Sequence, residues 1–161
     1  MRIGVISDTH GHAELTRRAV RMLESLEVEL VLHCGDIGSP RVVELLAGWP
    51  THYVFGNCDH DRPPLAEAIA RTGGVCHEEF GELTLGGVRA ALLHSHDRPR
   101  FRGAIDSERY GLICYGHTHL AAIDRHGPTL VVNPGAVYRA NPHSIAVIEA
   151  PGLEATIVEL D

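Results

Sequence analysis

The sequence predicts an α/β fold of two packed β-sheets with helices on the outside. Three observations carry this: strand–helix alternation through the first half, closely spaced strands through the second, and 161 residues without a linker, repeat or composition break. That length can bury a hydrophobic core without disulfides or assembly to support it. Hydrophobic residues at 44% and charged residues at 22% are ordinary globular usage and argue against disorder. Residues 1–161 therefore read as one domain.

Taken in order, Arg2 to Ser7 reads as a buried strand and Glu14 to Leu26 as an amphipathic helix, with Leu15, Ala19, Met22, Leu23 and Leu26 at helical spacing. Leu30 to His33 is a second apolar strand, Arg41 to Ala47 a second helix, and His52 to Phe55 a third strand ending at Gly56, which completes a βαβαβ order. A helix is expected around Pro64 to Arg71. Strands then follow at Phe80 to Leu85, Val88 to His94, Leu112 to Tyr115, Leu130 to Val132, Ser144 to Glu149 and Glu154 to Val158, with hairpin turns at Gly86-Gly87 and Pro151-Gly152.

Composition narrows function. Cys34, Cys58, Cys76 and Cys114 form no C-x-x-C pair, which excludes a zinc ribbon or thioredoxin-like motif. Cys34, Cys76 and Cys114 read as small buried apolar residues. Met1 runs into an apolar strand with no basic segment, cleavage site or long apolar span, so a cytoplasmic, non-membrane protein with reduced thiols is expected. A formal net charge of −7 argues against an extended nucleic-acid surface, though a local anion site remains compatible with it. A homo-oligomer is left open. The anomaly is histidine: the 12 present outnumber Trp, Tyr and Phe together, and many stand beside Asp or Gly at turn-like positions.

Those histidines cluster where strands end. Apolar runs give out into Ser7-Asp8-Thr9-His10, His33-Cys34-Gly35-Asp36, Gly56-Asn57-Cys58-Asp59, His94-Ser95-His96 and Gly116-His117-Thr118-His119. Ligands bind at the carboxyl ends of strands in α/β sheets, so five strand ends can converge on one site. A mixed oxygen and imidazole donor set suits Mn, Fe, Co, Ni or Zn, whereas an all-oxygen set would suit Mg or Ca. Two such ions about 3.5–4 Å apart clamp the attacking and leaving oxygens of an in-line displacement and acidify a bound water to hydroxide.

Asp8-x-His10, Gly35-Asp36, Gly56-Asn57, His94 and Gly116-His117-x-His119, in this order, resemble the calcineurin-like metallophosphoesterase superfamily across nearly the whole chain. The strings HCGD, GNCD, YGHTH and NPG most resemble its small prokaryotic YfcE-type phosphodiesterases. The resemblance implies a four-layer αββα sandwich of two mixed sheets flanked by helices. It implies two divalent ions, with manganese favoured: Asp8, His10 and His119 on the first, Asn57, His94 and His117 on the second, and Asp36 bridging. Asp36, Asn57 and His94 would then also serve catalysis. Two carboxylates against two divalent ions leave a locally positive pocket for a small phosphate ester in an acidic protein.

Several residues carry two readings. Many superfamily members place a histidine after the Gly-Asn pair where it can protonate the leaving group; here Cys58 stands there, as is usual for the YfcE type, and a thiol is a poorer acid. His12, His60 and His96 are substitute proton donors or else solvated and supporting residues. Arg98, Arg100 and Arg102 either meet substrate phosphate or form a solvated charged loop, and Arg139 invites the same choice. Ser95 and Ala136 replace the more common glycine and serine without removing a ligand, and Asn133-Pro134-Gly135 reads as a turn bordering the site. The resemblance also admits a non-catalytic scaffold, because the retromer subunit shares this fold; that scaffold lacks the histidine found here as His10. Phosphomonoester hydrolysis and a closed structural metal site are the remaining alternatives.

Overall fold

The computed structural model describes residues 1–160. Its elements run β1 (Arg2–Ile6), α1 (Ala13–Ser25), β2 (Leu30–His33), α2 (Pro40–Leu45), β3 (Thr51–Tyr53), α3 (Arg62–Arg71), β4 (Val75–Cys76), β5 (Phe80–Leu85) and β6 (Val88–Leu93). The chain continues through α4 (Arg98–Asp106), β7 (Leu112–Tyr115), β8 (Ala122–His126), β9 (Thr129–Asn133), β10 (Ser144–Glu149) and β11 (Glu154–Glu159).

The strands form two mixed sheets, one ordered β11-β10-β1-β2-β3-β4 and the other β5-β6-β7-β9-β8. In the first, β1 to β4 run parallel; in the second, β6, β7 and β9 do. Side chains along a strand alternate between faces. Ile3 and Val5 accordingly point into the core between the sheets, with Leu32, Leu92, Leu112, Cys114 and Val132, while Ile6 and Val31 turn to the outer face beneath α1 to α3. On the other side, Ala91, Leu93 and Ile113 pack under Ala104, Phe101 and Ile105 of α4. Helices, sheet, sheet and helix make the expected four layers.

The structure adds three elements. β4 is a two-residue edge strand. The exposed edge strand β8, Ala-Ile-Asp-Arg-His, has too few apolar residues to announce itself and exists through pairing with β9. The Arg98 to Arg102 stretch is the start of α4 instead of a loop: the Asp97 carboxylate accepts the Arg100 N–H at 3.1 Å, and Pro99 occupies the first turn. β3 ends at Tyr53, two residues before the expected Phe55. Cys34 and Cys114 are fully buried, as their type predicts, and Cys76 is half-buried.

Candidate metal centre

The parallel pairing of β1 with β2 continues beyond both strands as a backbone zipper: Asp8 N–H donates to Gly35 O (3.0 Å), His10 N–H to Asp36 O (2.9 Å) and Gly11 N–H to Ile37 O (2.9 Å). Beneath it Gly35 N–H donates to His33 Nδ1 (3.2 Å), so the proton of this buried ring lies on Nε2, 3.0 Å from Thr9 Oγ1, whose hydroxyl donates to Ile37 O (3.0 Å). The loop after β3 is tied in by Asp59. Its carboxylate accepts Ile37 N–H (3.1 Å), Gly38 N–H (2.9 Å) and Gly56 N–H (2.9 Å).

These loops bend through left-handed backbone. Asp8, His10, Asp36, His117 and His119 have φ values of 54°, 44°, 54°, 89° and 60°. Left-handed backbone costs a non-glycine residue about 1–2 kcal/mol, and its concentration in ligand-type residues marks a functional site. Two glycines make room. A Cβ on Gly56 would collide with the Asp36 carboxylate, and one on Gly116 with Ser7 Oγ, so only glycine lets the β3 and β7 ends approach this closely.

Side chains from both sheets meet between these loops. Asp8 Oδ1 lies 3.1 Å from His119 Nε2, 3.8 Å from His10 Nε2 and 3.9 Å from His94 Nε2. Asp36 Oδ2 lies 3.2 Å from His94 Nε2 and 3.7 Å from His10 Nε2. His94 Nδ1 faces Cys34 O at 2.7 Å and His119 Nδ1 faces Arg139 O at 3.1 Å. A carbonyl only accepts, so both rings carry their proton on Nδ1 and turn a bare Nε2 lone pair toward a carboxylate. Lone pairs facing lone pairs repel unless a cation lies among them. Two of these atoms, Asp8 Oδ1 and His94 Nε2, are buried with no hydrogen-bond partner among the described residues, which is the signature of donors waiting for an ion. The donor set fits a divalent metal.

The trios Asp8–His10–His119 and Asp8–Asp36–His94 each bring donor atoms within 4.8 Å of one another, as does His10–Asp36–Cys58. The last includes a thiol outside the ligand set expected from the motifs. Its signal was its place directly after Asn57, where it was weighed only as an acid.

Charge is distributed accordingly. Burial alone would push the Asp36 carboxyl up, but His94 and the Cys58 N–H, which donates at 2.8 Å, hold it well below the usual range. Burial works against protonated His94, yet Asp36 and Asp8 outweigh it and raise the imidazole. Burial lowers His10, His117 and His33, the last to about 3.

The remaining candidates separate in space. His117 stands outside the three trios; its ring lies 5.2 Å from that of His94, and its N–H donates to Asp8 Oδ2 (3.1 Å). Asn57 is exposed, its amide 3.5 Å from Cys58 Sγ. His12 caps α1, its Nδ1 accepting Leu15 N–H at 3.3 Å, and stacks on Tyr138. His60 is exposed beside Cys58 and Asp59 at a cavity of about 290 Å³. His96 packs 5.6 Å from His94 and 6.3 Å from His117, its buried Nδ1 unpartnered among the described residues.

The three arginines of α4 part company. Arg98 and Arg102, one turn apart, line a cleft of about 400 Å³ with Ser95 and His117, whereas Arg100 turns to Glu79 (3.5 Å) and Asp97 (3.5 Å). The Arg139 guanidinium lies 5.5 Å over Tyr138, close enough for its charge to help lower His10. The sequence placed Asp59 in a strand-end cluster and Asn133 in a turn bordering the site; the structure gives Asn133 a bond of its own, its buried amide donating to Thr118 Oγ1 (3.0 Å) and accepting Gly135 N–H (3.0 Å), which joins the Asn133-Pro134-Gly135 turn to the His117–His119 loop.

Two sheets closing on a carboxylate–imidazole cluster define a phosphoesterase scaffold, and residues 1–151 match the calcineurin-like phosphoesterase superfamily domain. The chain belongs to this superfamily, whose members use a divalent metal centre, and it is a metal-dependent hydrolase of phosphate esters. It is 30% identical over 138 residues to phosphodiesterase MJ0936 of Methanocaldococcus jannaschii, covering 84% of this chain and 83% of that one. It is 31% identical over 141 residues to YsnB of Bacillus subtilis, covering 85% of this chain and 75% of that one. Among solved structures, an archaeal phosphodiesterase superposes with a TM-score of 0.91 at 27% identity over 99% of both chains. The Escherichia coli phosphoesterase YfcE, at 20% identity and a TM-score of 0.68 with both chains fully covered, shares the fold. So does Vps29 of Entamoeba histolytica, at 18% identity and 0.71, again over the whole of both chains. No helix among the described residues is long and apolar enough to cross a membrane.

Proposed function

We propose that the chain hydrolyses phosphodiesters at a pair of divalent ions, manganese by preference, with Asp8, His10 and His119 holding one, Asn57, His94 and His117 the other, and Asp36 between them. The observation that carries the reading is the ring of bare donor atoms contributed by both sheets around Asp8 Oδ1 and Asp36 Oδ2. When bound, such a pair of ions activates water for in-line attack and neutralises charge on the phosphoryl oxygens. The protein fixes the donors in place, through the loop zipper and the Nδ1 bonds of His94 and His119, before substrate arrives. Arg98, Arg102 and Arg139 supply positive charge around the substrate phosphate.

Two clefts support a diester over a monoester, since a diester carries two organic arms. One adjoins His117 and Ser95, the other Cys58 and His60. His96, packed on the two ring donors, is the best-placed imidazole of the three to assist a leaving group, and Cys58 is the weaker acid. The similarity to an archaeal phosphodiesterase points the same way.

The test is metal analysis joined to a substrate panel. Loading with manganese should give two ions per chain, and diesters should be cleaved faster than monoesters, with aryl leaving groups far ahead of alkyl ones. A stoichiometry of one or below in folded protein would overturn the dinuclear arrangement, and faster monoester cleavage the substrate class.

A further inference from the structure

Beside the metal centre, the cleft between α4 and β8 has a composition that the hydrolytic chemistry does not require. Its inner end is Ser95 and His117; its floor includes Phe101 and Tyr115, whose ring centroids lie 4.5 Å apart at a 39° tilt, with Ile105 alongside. Arg98 and Arg102 also line it, and among the described residues neither guanidinium makes an ion pair or hydrogen bond, although that of Arg100 between them makes two ion pairs. The outer end carries Asp124 and His126 of β8. The cleft of about 400 Å³ is thus an aromatic shelf flanked by two uncompensated guanidinium groups and closed by a carboxylate and an imidazole.

Each part narrows the occupant. Free guanidinium groups beside an anion-processing site call for a further anionic oxygen on the substrate. An aromatic floor favours a planar ring, because stacking gives rings an advantage that a polyol or a simple alkyl arm lacks. A carboxylate and an imidazole at the far rim can hydrogen-bond the polar edge of that ring, which a lipid tail would leave unpaired. Phosphate, ring and polar ring edge in sequence describe a nucleotide.

Resting on the phosphodiesterase reading, we infer that this cleft is a nucleotide subsite. It would seat the nucleoside arm of the diester with its base on Phe101 and Tyr115, its phosphates toward Arg98 and Arg102, and its base edge toward Asp124 and His126. The substrate class is then a nucleotide phosphodiester, and the nucleoside monophosphate is the product that occupies the cleft.

Calorimetric binding of adenosine 5′-monophosphate and ribose 5-phosphate to the manganese-loaded protein tests this, with displacement of bis(p-nitrophenyl) phosphate hydrolysis as a second readout. Adenosine 5′-monophosphate should bind at least about fivefold tighter than ribose 5-phosphate, the low end of the advantage a stacked base confers. Phe101→Leu keeps apolar volume under α4 but removes the ring, and it should erase most of that ratio. Asp124→Asn, on an exposed strand, should reduce it without unfolding risk. Weakening of both ligands alike by Arg98→Ala would assign the arginines to phosphate. Equal binding of the two ligands to wild-type protein, or a ratio untouched by Phe101→Leu and Asp124→Asn, would overturn the subsite. Absence of diester hydrolysis altogether would instead strike the phosphodiesterase reading, since the binding measurement requires no turnover.

Discussion

The two sheets contribute unequally to one site. Loops after β1, β2 and β3 supply both carboxylates, Asp8 at 0% and Asp36 at 2% exposure, locked by a backbone zipper and the triple acceptor Asp59. Loops after β6 and β7 supply only imidazoles, and of these His94 is buried while His117 is exposed and His119 half-buried. The same second sheet borders the cleft with Arg98 and Arg102. The first half thus holds both carboxylates in locked loops, with His10 and Asn57 beside them, and the second half adds three imidazoles, two of them open to solvent. That division follows from desolvation: a buried carboxylate is tolerated only where geometry guarantees its partner, whereas an imidazole is stable facing water.

The comparison can be broken most directly through the ligands. Asp36→Asn should weaken metal binding at both positions by more than about 100-fold, beyond the 10- to 100-fold that losing a ligand's supporting partner usually costs. His119→Ala should cost less and chiefly at one position. Titration of each metal-free variant with manganese decides it, and equal losses would mean that the two halves share the ion evenly.

A smaller effect sharpens the contrast in rigidity. Asp59→Ala strands three backbone N–H groups and should lower metal-free stability by about 3 kcal/mol, at roughly 1 kcal/mol or more for each unsatisfied donor. Its counterpart in the second half, Ser95→Ala, loses a single hydroxyl bond to Gly116 O and should cost about 1 kcal/mol. Urea denaturation in chelator measures both; a Ser95→Ala loss as large as that of Asp59→Ala would remove the asymmetry.

The smallest effect is a pH dependence that belongs to the first sheet. His33 is buried and neutral, its pKa lowered to about 3 by burial first and by the charge of His94 second. The unfolded chain, with an ordinary histidine near 6.5, binds the extra proton first, so the contribution of His33 is fully present above about pH 6.5 and is lost as pH falls toward 3. At pH 5.5 the loss should be about 1.4 kcal/mol. His33→Gln should flatten that slope in thermal unfolding of the metal-free protein, and an unchanged slope would place the sensitivity elsewhere.

Much of this was legible in sequence because strand ends announce themselves. Each apolar run stops at a polar cluster, so Asp8, Asp36, His94, His117 and His119 could be named, and the layer order followed from where strands cease to alternate with helices. What stayed hidden depended on registers that no local pattern encodes. The split of Arg98 and Arg102 from Arg100 requires knowing that the stretch is helical, and the signal was the Asp97 cap followed by Pro99, read instead as a charged loop. β8 carries few apolar residues and is formed by its neighbour β9. Asp59 looked like part of a motif, and only the approach of three backbone N–H groups from two loops reveals its work. Cys58 joined a donor trio because Gly56 lets the β3 end lie against Asp36.

The ligand ring straddles the seam between the sheets: Asp8, His10 and Asp36 come from one, His94, His117 and His119 from the other. An ion held across that seam would be a clasp as well as a catalyst. Below it lies the inter-sheet core, whose packing is apolar and directionless, so nothing there besides shape fixes how far one sheet slides on the other. An ion there would add to the directional bonds that already cross the seam, from His94 Nδ1 to Cys34 O and from His117 N–H to Asp8 Oδ2. Loading an ion would then couple the packing between the sheets to the availability of a small solute, and the free energy of ion binding would become resistance to separation of the two halves.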